Sequence, residues 1–214
     1  MGAEPVSLEQ ILDLEKTGAE SAVLVPVPEA ERAIRRHRAR LDAAAARGVP
    51  AHVTVLYPFV PPSEITAGTL TALAGAVASV GAFECEFPAT AWFGQDVMWL
   101  APRPDAPFRA LTRAVCAAFP GYPPYGGGYD DDVIPHLTVG DRTADGAGDR
   151  TADGAGDRTA GGVADLRAAE AEVRAALPVT ARISRVWLMA GGTAPDSWRI
   201  VAEFPLGARD EPRR

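Results

Sequence analysis

The stretch "PAHVTVLYPF" (50–59) decides how this chain is read. It opens with His52 and Thr54 separated by one apolar residue, and it is rich in β-branched and aromatic side chains, the composition of a strand. In a strand, residues two apart share a face. His52 and Thr54 therefore project together, with Val53 and Val55 on the opposite side. Further along, "IPHLTVGD" (134–141) repeats the pattern: His136 and Thr138 share one face, Leu137 and Val139 the other. The chain has three histidines, so two of them are spent in matched His-x-Thr-Val tetrads.

Each tetrad mounts an imidazole beside a hydroxyl on a rigid element. If the two strands face each other across a cleft, the set suits in-line displacement at phosphorus. One neutral histidine removes a proton from the attacking oxygen, and one protonated histidine donates to the leaving oxygen. The hydroxyls of Thr54 and Thr138 would hold the non-bridging phosphate oxygens. An imidazole with an unperturbed pKa of about 6.5 serves either role. This chemistry needs no metal or other cofactor, and none is expected: the histidines are far apart in sequence and no thiolate cluster accompanies them.

Working outward, "SAVLVPVP" (21–28) reads as a strand and "EAERAIRRHRARLDAAAARG" (29–48) as one helix stopped by Gly48. "SEITAGTLTALAGAVASV" (63–80) predicts a second helix capped by Ser63. "FECEFPATAWFG" (83–94) and "DVMWLAP" (96–102) read as two strands turning near Gln95–Asp96. A helix over 106–119 carries Phe108, Leu111, Val115 and Phe119. After a loop over 120–133 come the strand "PHLTVG" (135–140), a helix over 163–177, and "VTARISRVWLMA" (179–190) with "SWRIVAEFPL" (197–206) as a closing strand pair. Two strand–helix–strand passages favour an α+β or α/β chain of two similar halves.

Between the second tetrad and the last helix lies "GDRTADGAGDRTADGAGDRTAGG" (140–162), the unit GDRTADGA repeated and then truncated. It holds no large apolar side chain to offset its ordering entropy, so a flexible surface insertion is expected. "RRHRAR" (35–40) reads as a solvated basic helix face, "DDD" (130–132) as a solvated acidic loop, and the four tryptophans as core. Cys85 and Cys116 are isolated and read as small apolar residues. Tyr57 and Phe59 after the first motif, and Tyr122 and Tyr125 in the loop before the second, are the expected substrate-pocket residues.

Net charge is −7 with pI near 5.0. A protein that grips long polynucleotides would carry a basic excess, so a small or short phosphorylated partner is expected and duplex nucleic acid is not. No apolar run approaches the roughly 20 residues of a membrane span. "MGAEPVSLEQ" has no secretory pattern, and Val6 stands where a myristoylation signal needs Ser or Thr. A cytoplasmic monomer is expected.

With these motifs in view, the chain resembles the 2H phosphoesterase superfamily, named for two His-x-Thr/Ser-x motifs. It is most similar to the bacterial branch of 2′-5′ RNA ligase-like proteins, or RNA 2′,3′-cyclic phosphodiesterases. The carrying residues are "HVTVLYPF" (52–59), "HLTV" (136–139), "MWLAP" (98–102) and "WRIVAEFPL" (198–206). The resemblance implies an α+β fold of two pseudo-twofold-related lobes, each an antiparallel sheet with flanking helices, with the active cleft between them. It spans 21–206, leaving an N-terminal extension (1–20) and a tail (207–214). It implies hydrolysis of 2′,3′-cyclic phosphodiesters of RNA ends or nucleotides, with reversible 2′-5′ RNA ligation or a non-catalytic nucleotide-binding role as alternatives. By analogy His136 would activate water and His52 would protonate the leaving oxygen. One departure stands out: members often carry a basic residue shortly after the second motif, where this chain has Gly140–Asp141, with Arg142 next at the mouth of the repeat.

Overall fold

The computed structural model describes residues 19–127, 133–143 and 162–208. Nearly all of the expected N-terminal extension, most of the GDRTADGA repeat, Asp130–Asp132 and most of the tail lie outside them.

Eight strands form two four-stranded antiparallel sheets, an α+β arrangement. The first sheet has the order β2-β1-β7-β8, built from β1 (Glu20–Pro26), β2 (His52–Leu56), β7 (Arg185–Gly191) and β8 (Arg199–Pro205). The second has the order β5-β4-β3-β6, built from β3 (Phe83–Phe93), β4 (Val97–Arg103), β5 (Leu137–Asp141) and β6 (Val179–Ile183). Exchanging the sheets carries β2 onto β5 and β1 onto β4. Each motif strand is thus an edge strand, paired with the strand before it and joined to that strand through a helix.

Those helices are α1 (Glu31–Leu41), extended by the short α2 (Ala43–Ala46), and α4 (Ala106–Ala118); α3 (Ala67–Ala78) precedes β3 and α5 (Val163–Arg174) precedes β6. They pack crosswise: α1 lies against β5, and α4 lies against β2. One apolar core consequently runs through both halves, taking Val23, Val53 and Val55 from the first sheet and Phe87, Leu100 and Val139 from the second. β1 is apolar along nearly its whole length because both its faces are covered. Val23 and Val25 face the shared core, while Ala22 and Leu24 join a smaller cluster with Val49, Met189 and Trp198.

Four details depart from the sequence reading. The helix expected over 29–48 breaks at Asp42, whose backbone is extended (φ −136°, ψ 109°) and whose carboxylate accepts from the Ala44 N–H to start α2. The second helix begins later than Ser63, because Thr66 and Thr69 form a reciprocal capping box while Ser63 sits in a preceding 3-10 turn. The segment 179–190 is two strands in different sheets, the chain crossing over at Ser184; the closing pair is β7 with β8. The basic stretch 35–40 is not a uniformly solvated face, since His37 and Arg38 are buried. Cys85 and Cys116 form no disulfide. Among the described residues no helix is long and apolar enough to cross a membrane.

Candidate active site

His52 and Thr54 alternate with the buried Val53 and Val55 on β2, and Thr138 alternates with Leu137 and Val139 on β5. His136 immediately precedes β5. All four motif side chains are half-buried. The strands β2 and β5 contact one another, and the charge of His136 acts on His52, so the two imidazoles stand within each other's electrostatic reach.

The rings are oriented alike. His52 Nδ1 lies 2.7 Å from the Pro50 carbonyl oxygen, and His136 Nδ1 lies 2.8 Å from that of Ile134. A carbonyl only accepts, so Nδ1 carries the donated proton in both rings and leaves Nε2 with its lone pair. Edge aromatics hold His136 further: its ring meets Phe93 edge-on at 5.0 Å and Trp99 at 5.9 Å, and those two stack at 4.8 Å. The hydroxyls of Thr54 and Thr138 have no hydrogen-bond partner among the described residues.

The surroundings of the two rings differ. Burial, then the Arg38 guanidinium, pushes His52 down to about 3, against a smaller upward pull from the Pro50 carbonyl. Burial also lowers His136, but the Ile134 carbonyl and the Asp141 carboxylate pull it back up. Arg38 is fixed: 2% exposed, it forms an ion pair with Asp42 at 2.8 Å and donates to the Val49 carbonyl at 3.1 Å.

Each motif opens onto its own hollow. That of His52 and Thr54, about 150 Å³, is lined by Leu24, Arg47, Tyr57 and Trp198. That of His136 and Thr138, about 360 Å³, is lined by Phe93, Val97, Tyr125, Ile134 and Asp141. Tyr57 and Tyr125 therefore lie at the cleft, and they are linked, since the Tyr125 N–H donates to the Tyr57 carbonyl at 2.7 Å. The Tyr57 phenol donates to Glu20, and burial raises its pKa. Phe59 and Tyr122 are elsewhere. Phe59 is 3% exposed and packs edge-on against Phe119 at 4.8 Å, so it is a core residue; its position lies one residue past the cis-linked Pro58, beyond the end of β2. Tyr122 packs on the same aromatic group and its hydroxyl donates to Glu64 at 3.3 Å.

Four site residues were not legible as such in the sequence. Trp198 and Phe93 read as core or strand aromatics, and Arg38 as a surface cation. Arg47 sits at the foot of an alanine-rich run; its distance of five residues from His52 was the one available signal. Arg142 is anchored, its guanidinium donating to Asp96 at 3.0 Å and its N–H to the Asp96 carbonyl.

A family model for the 2′-5′ RNA ligase superfamily matches residues 26–193. This chain belongs to that superfamily, as the paired His-x-Thr motifs implied. No curated protein matches the chain significantly. Among solved structures, the fold is similar to E. coli LigT complexed with 3′-AMP, at TM-score 0.51 and 16% identity over 87% of this chain and 97% of that one. It is also similar to the Thermus thermophilus protein TT0787, at TM-score 0.53 and 16% identity over 88% and 98% of the two chains.

Proposed function

We propose that the protein hydrolyses 2′,3′-cyclic phosphodiesters, of nucleotides or short RNA ends, by acid–base catalysis between His52 and His136 without a metal ion. The observation that carries the reading is the pairing of two Nε2 lone pairs with two unpartnered threonine hydroxyls on contacting edge strands. The hydroxyls of Thr54 and Thr138 bind the non-bridging oxygens, whose charge grows in the transition state. Solved LigT structures hold 3′-AMP, ATP or NADP+, which supports a small nucleotide as the ligand class.

The unequal surroundings support a division of labour opposite to the family analogy. His52, the harder to protonate, acts as base and takes the proton from water as its oxygen attacks phosphorus. The P–O3′ bond breaks, and His136, lowered by burial but partly restored by the Ile134 carbonyl and Asp141, donates its proton to O3′. The products are a 2′-phosphomonoester and a free 3′-hydroxyl, with the two histidines left in exchanged protonation states that solvent resets.

The test is a panel of 2′,3′-cyclic mononucleotides, cyclic-ended oligoribonucleotides and ADP-ribose cyclic phosphate, assayed with EDTA present and with products identified. His52→Ala and His136→Ala should each abolish turnover with circular dichroism unchanged. A 3′-thio bridging analogue has a leaving group that needs no proton, so it should restore turnover to His136→Ala but not to His52→Ala. Rescue of His52→Ala instead would reverse the roles. An absolute metal requirement, or joining of RNA ends in place of hydrolysis, would overturn the proposed reaction.

A further inference from the structure

Two hollows on the first-sheet side share Arg47. It lines the His52 hollow, and it also lines an adjoining hollow of about 320 Å³ with Arg40, Asp42, Asp141, Thr193 and Pro195. Asp141 in turn belongs to both the adjoining hollow and the His136 hollow. The adjoining hollow thus abuts both halves of the cleft without containing either histidine.

Its charges are unevenly committed. Asp42 is neutralised by Arg38 and accepts from the Ala44 N–H. Asp141 accepts from the N–H and the hydroxyl of Thr143, at 2.7 and 2.6 Å. Arg38 and Arg142, the other cations flanking the motif strands, are spent on Asp42 and Asp96. Arg40 and Arg47 form no ion pair or side-chain hydrogen bond among the described residues. Two uncommitted guanidiniums lining one hollow in a chain of net charge −7 mark a local reversal of sign.

The backbone holds Arg47 in place. Its N–H donates to the Ala43 carbonyl at 3.1 Å, and its own carbonyl accepts from the Trp198 N–H at 3.0 Å. Gly48 follows at φ +93°, a conformation that favours glycine, and a Cβ there would come within 3.3 Å of the Asp196 backbone. The Asp196 N–H donates to the Ala46 carbonyl at 3.0 Å, which clamps the loop carrying Thr193 and Pro195 onto α2. The charge of Arg47 is felt at the Tyr57 phenol, whereas His52 feels Arg38 and His136.

We infer that Arg40 and Arg47 form an anion subsite for a second, non-reacting phosphate of the substrate. The inference rests on the cleft reading above and narrows it: the preferred substrate carries another phosphoryl group beside the cyclic one. A guanidinium–phosphate contact is charge-assisted and bidentate.

The test compares kcat/KM for adenosine 2′,3′-cyclic phosphate, its 5′-phosphorylated form, and a cyclic-ended dinucleotide with one internucleotide phosphate and no 5′-phosphate. The wild type should favour at least one phosphorylated substrate by on the order of tenfold or more, the worth of one charge-assisted hydrogen bond. Which of the two is favoured identifies the source of the second phosphate. Arg47→Gln and the Arg40→Gln/Arg47→Gln double variant should bring the ratio close to one. Arg47→Lys should keep part of it, and Arg142→Gln, which removes a committed charge, should keep it all. A ratio near one in the wild type, or a ratio that survives in the double variant, overturns the subsite. If no substrate turns over, calorimetric titration with adenosine 2′-phosphate and adenosine 2′,5′-bisphosphate separates the claims. Tighter binding of the bisphosphate by the wild type alone upholds the subsite while the hydrolysis reading fails, and equal binding removes the subsite as well.

Discussion

Acidification from about pH 8 to about pH 5 should cost the folded protein up to about 2 kcal/mol through His52 alone. The ring sits near 3 in the fold against 6.5 for an unperturbed imidazole. Above 6.5 the folded and unfolded chains are both neutral at this position, and it contributes no pH dependence. As pH falls below 6.5 the unfolded chain binds a proton that the folded chain refuses, so stability is lost progressively from 6.5 down toward 3. At about pH 5 the unfolded ring is almost fully protonated and the folded one almost fully neutral, which gives the figure of about 2 kcal/mol. Because the ring keeps an edge toward solvent, that figure is a ceiling.

The measurement is urea unfolding followed by tryptophan fluorescence at both pH values, for the wild type and for His52→Asn. Carboxylates and His37 titrate in both proteins and cancel in the comparison; repeating the pair on a His136→Asn background removes the coupling between the two rings and leaves the His52 contribution as the difference between the losses. The wild type should lose more stability than the variant, by up to the stated amount. Equal losses would show that folded His52 accepts a proton near its ordinary pKa, and the account of burial and Arg38 holding it down would fail with it.

Gly140→Ala should destabilise by about 1–3 kcal/mol, because a Cβ there would lie 2.4 Å from Leu166 Cδ2 and 2.9 Å from Leu41 Cβ; an unchanged urea midpoint would contradict the packing of α1 and α5 over β5. Glu170→Ala should cost about 2–3 kcal/mol at neutral pH, since this buried carboxylate accepts from Thr90 at 2.8 Å and Trp92 at 2.9 Å and pairs with Arg167 and Arg174. Burial raises its pKa, but those hydrogen bonds and charges together hold it below the ordinary value, so the wild type should surrender the difference as pH falls through that lowered pKa. Gly191→Ala should shift both stability and substrate KM, because its Cβ would stand 2.6 Å from the Trp198 backbone and displace a side chain that lines the His52 hollow.

The sequence disclosed what repeats locally and concealed what depends on distant partners. Alternation put His52 with Thr54 and His136 with Thr138 on common faces, and helical spacing found Phe108, Leu111 and Val115. The sheet switch at Ser184 was hidden because Val179, Ala181 and Ile183 keep the same alternation up to the crossover, and nothing local says that β6 pairs with β3 while β7 pairs with β1. Arg38 looked like one of several surface cations; only the extended break at Asp42 folds a carboxylate back to bury it. Phe59 follows the motif closely, but β2 ends at Leu56, so the strand's face rule does not reach it.

Two matched motifs on a pseudo-symmetric scaffold would, by symmetry alone, deliver two equivalent imidazoles, and nothing would then assign one as base and the other as acid. Proton relay requires one ring neutral and the other charged at the same pH. The crosswise packing of α1 on β5 and of α4 on β2 fixes both motif strands against one core, so neither half can reposition its histidine independently. The difference between the rings comes from burial first and then from the charges around each. A buried guanidinium stands behind His52, where α1 breaks at Asp42, and a carboxylate at the end of β5 acts on His136. In the first half a cation follows from a helix that ends early; in the second an acid closes the motif strand.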